Sequence, residues 1–122
     1  MSCCSKLIAF LLTLSIVGSA YTQNHSNDNW VFGRYAGIAF TGTTAGAITG
    51  SVMIAPEGVA TYSDPGTGIL RYYSNGQKVW GYNHQLIGKG DSLLGDPDAT
   101  QSVLIFPKPE NPRFLFVFTL DA

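Results

Sequence analysis

The sequence predicts an all-β fold of antiparallel hairpins, about two blades of an incomplete β-propeller, with a small β-sandwich as the alternative and an N-terminal signal helix in front. Three observations predict it. From Trp30 onward, short apolar pieces are punctuated by Gly, Pro, Asn and Asp. No stretch there keeps the i, i+3, i+4, i+7 spacing of an amphipathic helix. Two hairpin units also have strands that are apolar on both faces, which suits sheets covered on both sides.

The chain has 122 residues, with 45% hydrophobic and 12% charged residues, too apolar for a disordered polymer. The formal net charge is −1. That balance argues against a nucleic-acid partner, which needs clustered Lys and Arg to neutralise phosphates, and against a polybasic membrane-surface domain.

Residues 1–20 read as a secretory signal peptide. Lys6 precedes an apolar run from Leu7 to Val17, and Gly18-Ser19-Ala20 supplies the small residues of a cleavage site. A helix over that run rises roughly 16 Å, about half a bilayer core, so no membrane span is expected after cleavage. Both cysteines, Cys3 and Cys4, precede the run. The mature chain then has no disulfide and no thiolate metal site, and depends on its core or on added neighbours.

Residues 21–29 are polar and Asn-rich and read as a flexible lead-in. Asn24-His25-Ser26 matches a glycosylation sequon, which carries meaning only in a eukaryotic secretory pathway. The all-β region spans 30–122. Strands are expected at Gly37–Phe40, Ala47–Ile54, Val59–Ser63, Ile69–Ser74, Gln77–Tyr82, Ser102–Phe106 and Arg113–Leu120. Thr41–Gly46 reads as a turn or loose loop, and Gly88–Thr100 as the longest irregular connection.

Asn75-Gly76 is the sharpest local signal. Both residues tolerate positive φ, so a two-residue type I′ loop is expected. That loop pairs Ser74 with Gln77 and lays Arg71 over Trp80 as a cation–π pair. In the second hairpin, Val103–Phe106 and Phe114–Phe118 are continuous apolar runs expected to be buried on both faces. Pro107, Pro109 and Pro112 lie in the connection, where no ladder N–H is needed, with Glu110-Asn111 at the tip. The sandwich alternative requires Phe116 and Phe118 to be buried.

Several segments together resemble the N-terminal region of large exported Bacteroidetes proteins. They are Trp30-Val31-Phe32-Gly33, Gly37–Phe40, Ala60-Thr61-Tyr62-Ser63-Asp64, Leu70–Gly76, Val79-Trp80, His84, Leu94-Gly95, Thr100-Gln101-Ser102, Pro107-Lys108-Pro109, Asn111-Pro112 and the Phe118-Thr119-x-Asp121 ending. The resemblance covers roughly residues 29–122. Arg71, where the family is usually apolar, and Gly81, where it usually has Asn, depart from it. The family carries a propeller-like N-terminal region, often PKD or immunoglobulin-like modules, and a gliding-motility-associated C-terminal domain for type IX secretion. The resemblance implies a Bacteroidetes cell-surface or extracellular location, or a periplasmic one if the sorting domain is absent. The apolar strand just before Ala122 is expected to mark a truncated frame or fragment whose missing downstream blades or modules would be its partners.

The chemistry-bearing residues are few. No triad, G-x-S-x-G elbow or Walker spacing is present, so no catalytic residues are assigned and no enzyme activity is expected. Tyr73, Trp80, Tyr82 and His84 could form an aromatic platform for a sugar ring. Asp91, Asp96 and Asp98 share one loop and could offer carboxylates to calcium, although their spacing fits no known calcium loop; no other cofactor is expected. The expected function is a non-catalytic exported β module acting in adhesion, or in binding a surface glycan or protein. The alternative is a fragment of a propeller-type glycan-active enzyme whose catalytic residues lie elsewhere.

Overall fold

The computed structural model describes residues 24–121. The expected signal peptide over 1–20 and the first residues of the lead-in lie outside the described residues. Within them the chain is all-β, with eight strands and no helix. β1 (Asn29–Phe32), β2 (Ala36–Thr41) and β3 (Thr44–Ala47) form one antiparallel meander. β4 (Ala60–Ser63), β5 (Leu70–Ser74) and β6 (Val79–Gly81) form a second. β7 (Val103–Pro107) and β8 (Leu115–Thr119) form a two-stranded third sheet. The first strands lie in succession, β1 against β4 and β4 against β7.

The middle sheet is covered on both sides, as its two-sided apolarity predicts. One face turns Tyr73 and Trp80 toward the first sheet, in a core with Val31, Met53, Ala55 and Leu70. The other turns Tyr72 and Val79 toward Ile105, Leu115 and Val117 of the third sheet, around a 310 Å³ gap. The terminal hairpin departs from expectation. Its inner residues Val103 and Ile105 are buried, but its outer face is bare, with Leu104 57%, Phe116 39% and Phe118 56% exposed. Burial on both faces is therefore corrected to burial on one, and the burial of Phe116 and Phe118 that a closed sandwich requires is not met. The first sheet likewise leaves Trp30, Phe32 and Phe40 exposed on its outer side.

The loops redistribute the turn chemistry. Thr41 pairs with Thr44, so of the turn or loose loop expected over Thr41–Gly46 the structure shows a tight two-residue hairpin at Gly42-Thr43. Only Gly42 of the two has positive φ (59°), the type II′ signature. At the Asn75-Gly76 site, Ser74 pairs with Val79 rather than Gln77. The loop has four residues because the Asn75 carboxamide oxygen accepts from the N–H groups of Gln77 (3.2 Å) and Lys78 (3.0 Å), an Asx turn that replaces the I′ geometry. The register moves by two residues, so Tyr72, Tyr73, Val79 and Trp80 keep their faces. Tyr73, not Arg71, now stands opposite Trp80, and the rings stack at 5.3 Å and 16°.

A bulge between Tyr62 and Ser63 takes Ser63 to Leu70 and Tyr62 to Tyr72, leaving Arg71 as the extra residue. It lets Leu70 and Tyr73, an odd interval apart, both enter the core. Arg71 is thrown outward and its Nη2 donates to Asp64 Oδ2 at 3.1 Å, which replaces the expected cation–π pair. The segment expected as strand Ala47–Ile54 is mostly unpaired. It touches the first sheet through an Arg34–Ile54 bridge, and its alternation buries Ser51, Met53 and Ala55. Residues 24–29, expected as loose, are knitted to the middle sheet. The His25 N–H donates to Pro65 O, the Ser63 N–H donates to Ser26 O, and the buried Asn29 amide donates to Ser63 Oγ and Gly68 O.

Candidate functional site

The sequence-singled aromatics separate into core and surface. Tyr73 and Trp80 are buried, so they hold the first two sheets together rather than face a ligand. Tyr82 is 66% exposed and stands alone. His84 is half-buried and occupies a positive-φ position (62°) in the turn that closes Gly81 onto Gln85. Its Nδ1 shares a 3.0 Å hydrogen bond with the Tyr73 hydroxyl. Burial pushes the Tyr73 phenol above its usual range, so the hydroxyl stays protonated and its role is to anchor the turn. These four residues do not form an open platform.

Two of the three loop aspartates accept local hydrogen bonds through their carboxylates. Asp96 Oδ1 accepts from the Asp98 N–H at 2.9 Å, and Asp91 Oδ1 accepts from the Ser92 hydroxyl at 3.2 Å. Among the described residues no group of three or more His, Cys, Asp or Glu side chains is placed to hold a metal ion.

A wide concavity lies along the succession of first strands. An open cleft of 870 Å³ runs past β4 and β7, between Asn27, Thr61, Thr100 and Gln101, with Leu104 and Phe118 at its apolar rim. Among the described residues no charged side chain lines it. Its size falls within the range of small-ligand sites. Its polar groups are not equally free. The Thr61 hydroxyl accepts from the Val31 N–H at 3.0 Å, linking β4 to β1, and the Thr100 hydroxyl donates to Glu57 at 3.0 Å. The carboxamides of Asn27 and Gln101 make no hydrogen bond within the described residues, so both donors and acceptors are available. Sequence reasoning missed this pair because Asn27 fell in the assumed lead-in and Gln101 in a loop, and only the packing of β1, β4 and β7 brings them to one cleft.

A second exposed feature is the outer face of the terminal hairpin. Phe106 stacks on Phe118 at 5.5 Å and 5°, and Phe106 and Phe116 are 5.6 Å apart. These aromatics cluster on one another rather than on a neighbouring sheet.

The described chain is thus an all-β protein of three successive antiparallel sheets with an uncharged cleft along their first strands. No protein-family model, curated protein or solved structure matches it.

Proposed function

We propose that this is a non-catalytic exported β module, propeller-like in organisation, that binds a neutral glycan or an uncharged polar protein surface at the cell exterior. The observation that carries the reading is the 870 Å³ cleft, lined by amides, hydroxyls and apolar groups without a charge. Neutral polyols are held by such mixed walls, where carboxamides meet hydroxyls and apolar edges cover ring faces. The propeller reading draws on the sheet order. Successive meanders with first strands side by side are how blades stand around an axis. The bare aromatic faces of the first and third sheets are the surfaces that neighbouring blades or modules would cover. Export, type IX sorting and a Bacteroidetes surface location belong to the same proposal, on the signal-like N-terminus and the family resemblance.

The test is a glycan array and immobilised surface-protein binding with the wild type and an Asn27→Ala, Gln101→Ala double variant. Binding by the wild type that falls at least about tenfold in the variant, at unchanged melting temperature, supports the reading. Equal binding by both would remove the cleft from it, and turnover of a bound glycan would move the protein to the enzymes.

A further inference from the structure

We propose that the rim between the β4–β5 and β7–β8 turns is a second binding site, which takes the carboxylate-bearing end residue of an acidic glycan, a hexuronate. The inference is independent of what the cleft binds.

The site is a 240 Å³ concavity walled by two neighbouring sheets. Tyr62, Asp64, Arg71 and Tyr72 come from the middle sheet, and Pro112 and Arg113 from the turn that leads into β8. Two of the chain's three arginines therefore meet in one small pocket, in a chain whose formal net charge is −1. The folding of each turn places them. The bulge at Tyr62 and Ser63 throws Arg71 out of the β5 alternation and toward the rim. Asp64 then fixes its guanidinium. One carboxylate oxygen accepts from Arg71 Nη2 at 3.1 Å, while the other holds the Gly66 and Thr67 N–H groups. One of the five Arg71 donors is used, so the rest of the fork is open. Arg113 follows Pro112 in a turn closed by hydrogen bonds from the Asn111 N–H to Lys108 O and from the Phe114 N–H to Asn111 O. Among the described residues the Arg113 guanidinium has no ion pair and no hydrogen bond. Both walls are hairpin turns whose two arms are present, so the site draws neither on the open edge of β8 nor on a bare outer face.

Charge and shape select the ligand. Two guanidiniums against one carboxylate leave a single net positive charge. A monoanion matches it, and a phosphate dianion lying beside Asp64 does not. A planar carboxylate meets the guanidinium fork in two parallel hydrogen bonds. The volume falls below the roughly 300–1,000 Å³ of whole-ligand sites, so the pocket fits an end group. The wall beside the arginines is phenolic. Tyr62 and Tyr72 stand opposite each other across β4 and β5, and within the described residues neither hydroxyl has a hydrogen-bond partner. Burial, and after it the Asp64 charge, pushes the Tyr62 phenol above its usual range, so the hydroxyl remains a donor. A uronate brings ring hydroxyls to these phenols and a carboxylate to the arginines. An aspartate or glutamate side chain brings only the carboxylate.

Nuclear magnetic resonance titration of the whole chain with glucuronate, glucose, N-acetylglutamate and inorganic sulfate tests the site. Glucuronate is expected to bind at least about tenfold more tightly than each of the other three. It is expected to bind Arg113→Gln at least about tenfold more weakly than the wild type. Arg113 is exposed, so that variant should keep the wild-type melting temperature. The Asn27→Ala, Gln101→Ala double variant should bind glucuronate as the wild type does, which separates this site from the cleft. Absence of glucuronate binding overturns the inference, and so does unchanged affinity in Arg113→Gln. Equal binding of glucose would remove the role of the carboxylate. Equal binding of N-acetylglutamate would make the site one for acidic peptides, and equal binding of sulfate an unselective anion site. Loss of binding in the cleft variant would move glucuronate to the cleft. Each of these four results also overturns it.

Discussion

At the residue scale, two side chains hold the middle sheet's outlying turns. Tyr73 lies at the centre of the core and spends its hydroxyl on His84 Nδ1, three residues beyond β6. Tyr73→Phe keeps the ring stack on Trp80 and leaves the half-buried imidazole nitrogen without that partner. It is expected to cost about 1 kcal/mol in urea denaturation, the net worth of one intramolecular hydrogen bond. Asp64 acts at the surface. Its Oδ1 accepts from the N–H groups of Gly66 and Thr67, both at 3.0 Å, and its Oδ2 accepts from Arg71. The Arg71 hydrogen bond, followed by those of Thr67, holds its carboxyl below the ordinary carboxylate range. A depressed folded-state pKa stabilises the fold above the unfolded value of about 3.9, and that contribution is lost as pH falls through the folded value. Asp64→Asn should therefore melt below the wild type near neutral pH. The gap should close toward about pH 2, where the wild-type carboxyl is protonated too. Thermal melts at both pH values check it, and a gap that is constant with pH would remove the ionised carboxylate from the account.

At the element scale, the approach to β7 is fixed by backbone contacts as well as by side-chain packing. Ser102, fully buried just before β7, donates to Gly58 O at 2.8 Å, and the Gly58 N–H donates to Ala99 O at 3.2 Å. A Cβ on Gly58 would stand 2.6 Å from both Ala99 O and Ser102 Oγ and closer still to Ser102 N. The neighbours are mainly backbone and cannot rotate away. Gly58→Ala is expected to destabilise by about 3 kcal/mol, at the upper end of overpacking costs, measured by chemical denaturation.

The same scale separates what was legible in the sequence. Short apolar runs bounded by Gly, Pro, Asn and Asp located β4, β5, β7 and β8, because a strand buried on at least one face leaves a direct trace in side-chain type. It also marked the middle sheet as covered on both faces, since Tyr72 and Tyr73 are adjacent and both apolar. The hairpins were less legible. Asn75-Gly76 has the composition of a type I′ turn, but the Asn75 carboxamide bonds two successive N–H groups ahead of it, and its Nδ2 donates to Ile54 O at 3.1 Å. A tertiary contact thus competes with the local turn. Gly42-Thr43 could not be fixed within Thr41–Gly46 because the Thr, Ala and Gly around it carry no hydrophobic period, and β1, only four residues long, was not singled out as a strand. The cleft was not legible, because Asn27 and Gln101 are 74 positions apart in the sequence.

At the scale of the whole molecule, apolar mass is distributed outward as much as inward. The core of the first two sheets is built from Val31, Met53, Leu70, Tyr73 and Trp80, while Trp30 and Phe40 at one end and Phe116 and Phe118 at the other remain in water. Contiguous apolar faces of this kind mark contact sites rather than stabilising surfaces. Aromatic residues of similar size should therefore differ in what they contribute, according to which side of the stack they face. Trp80→Ala removes a buried ring stacked on Tyr73 and should destabilise by about 3–5 kcal/mol, with loss of near-ultraviolet dichroism. Phe118→Ser removes a ring that is 56% exposed. It should cost less than about 1 kcal/mol while lowering the binding of an apolar fluorescent dye to the native protein. Denaturation midpoints and dye titration of the two variants side by side measure this. If Phe118→Ser proved as damaging as Trp80→Ala, the outer face would have to be packed against something within the chain, and the third sheet would be an interior layer rather than an open flank.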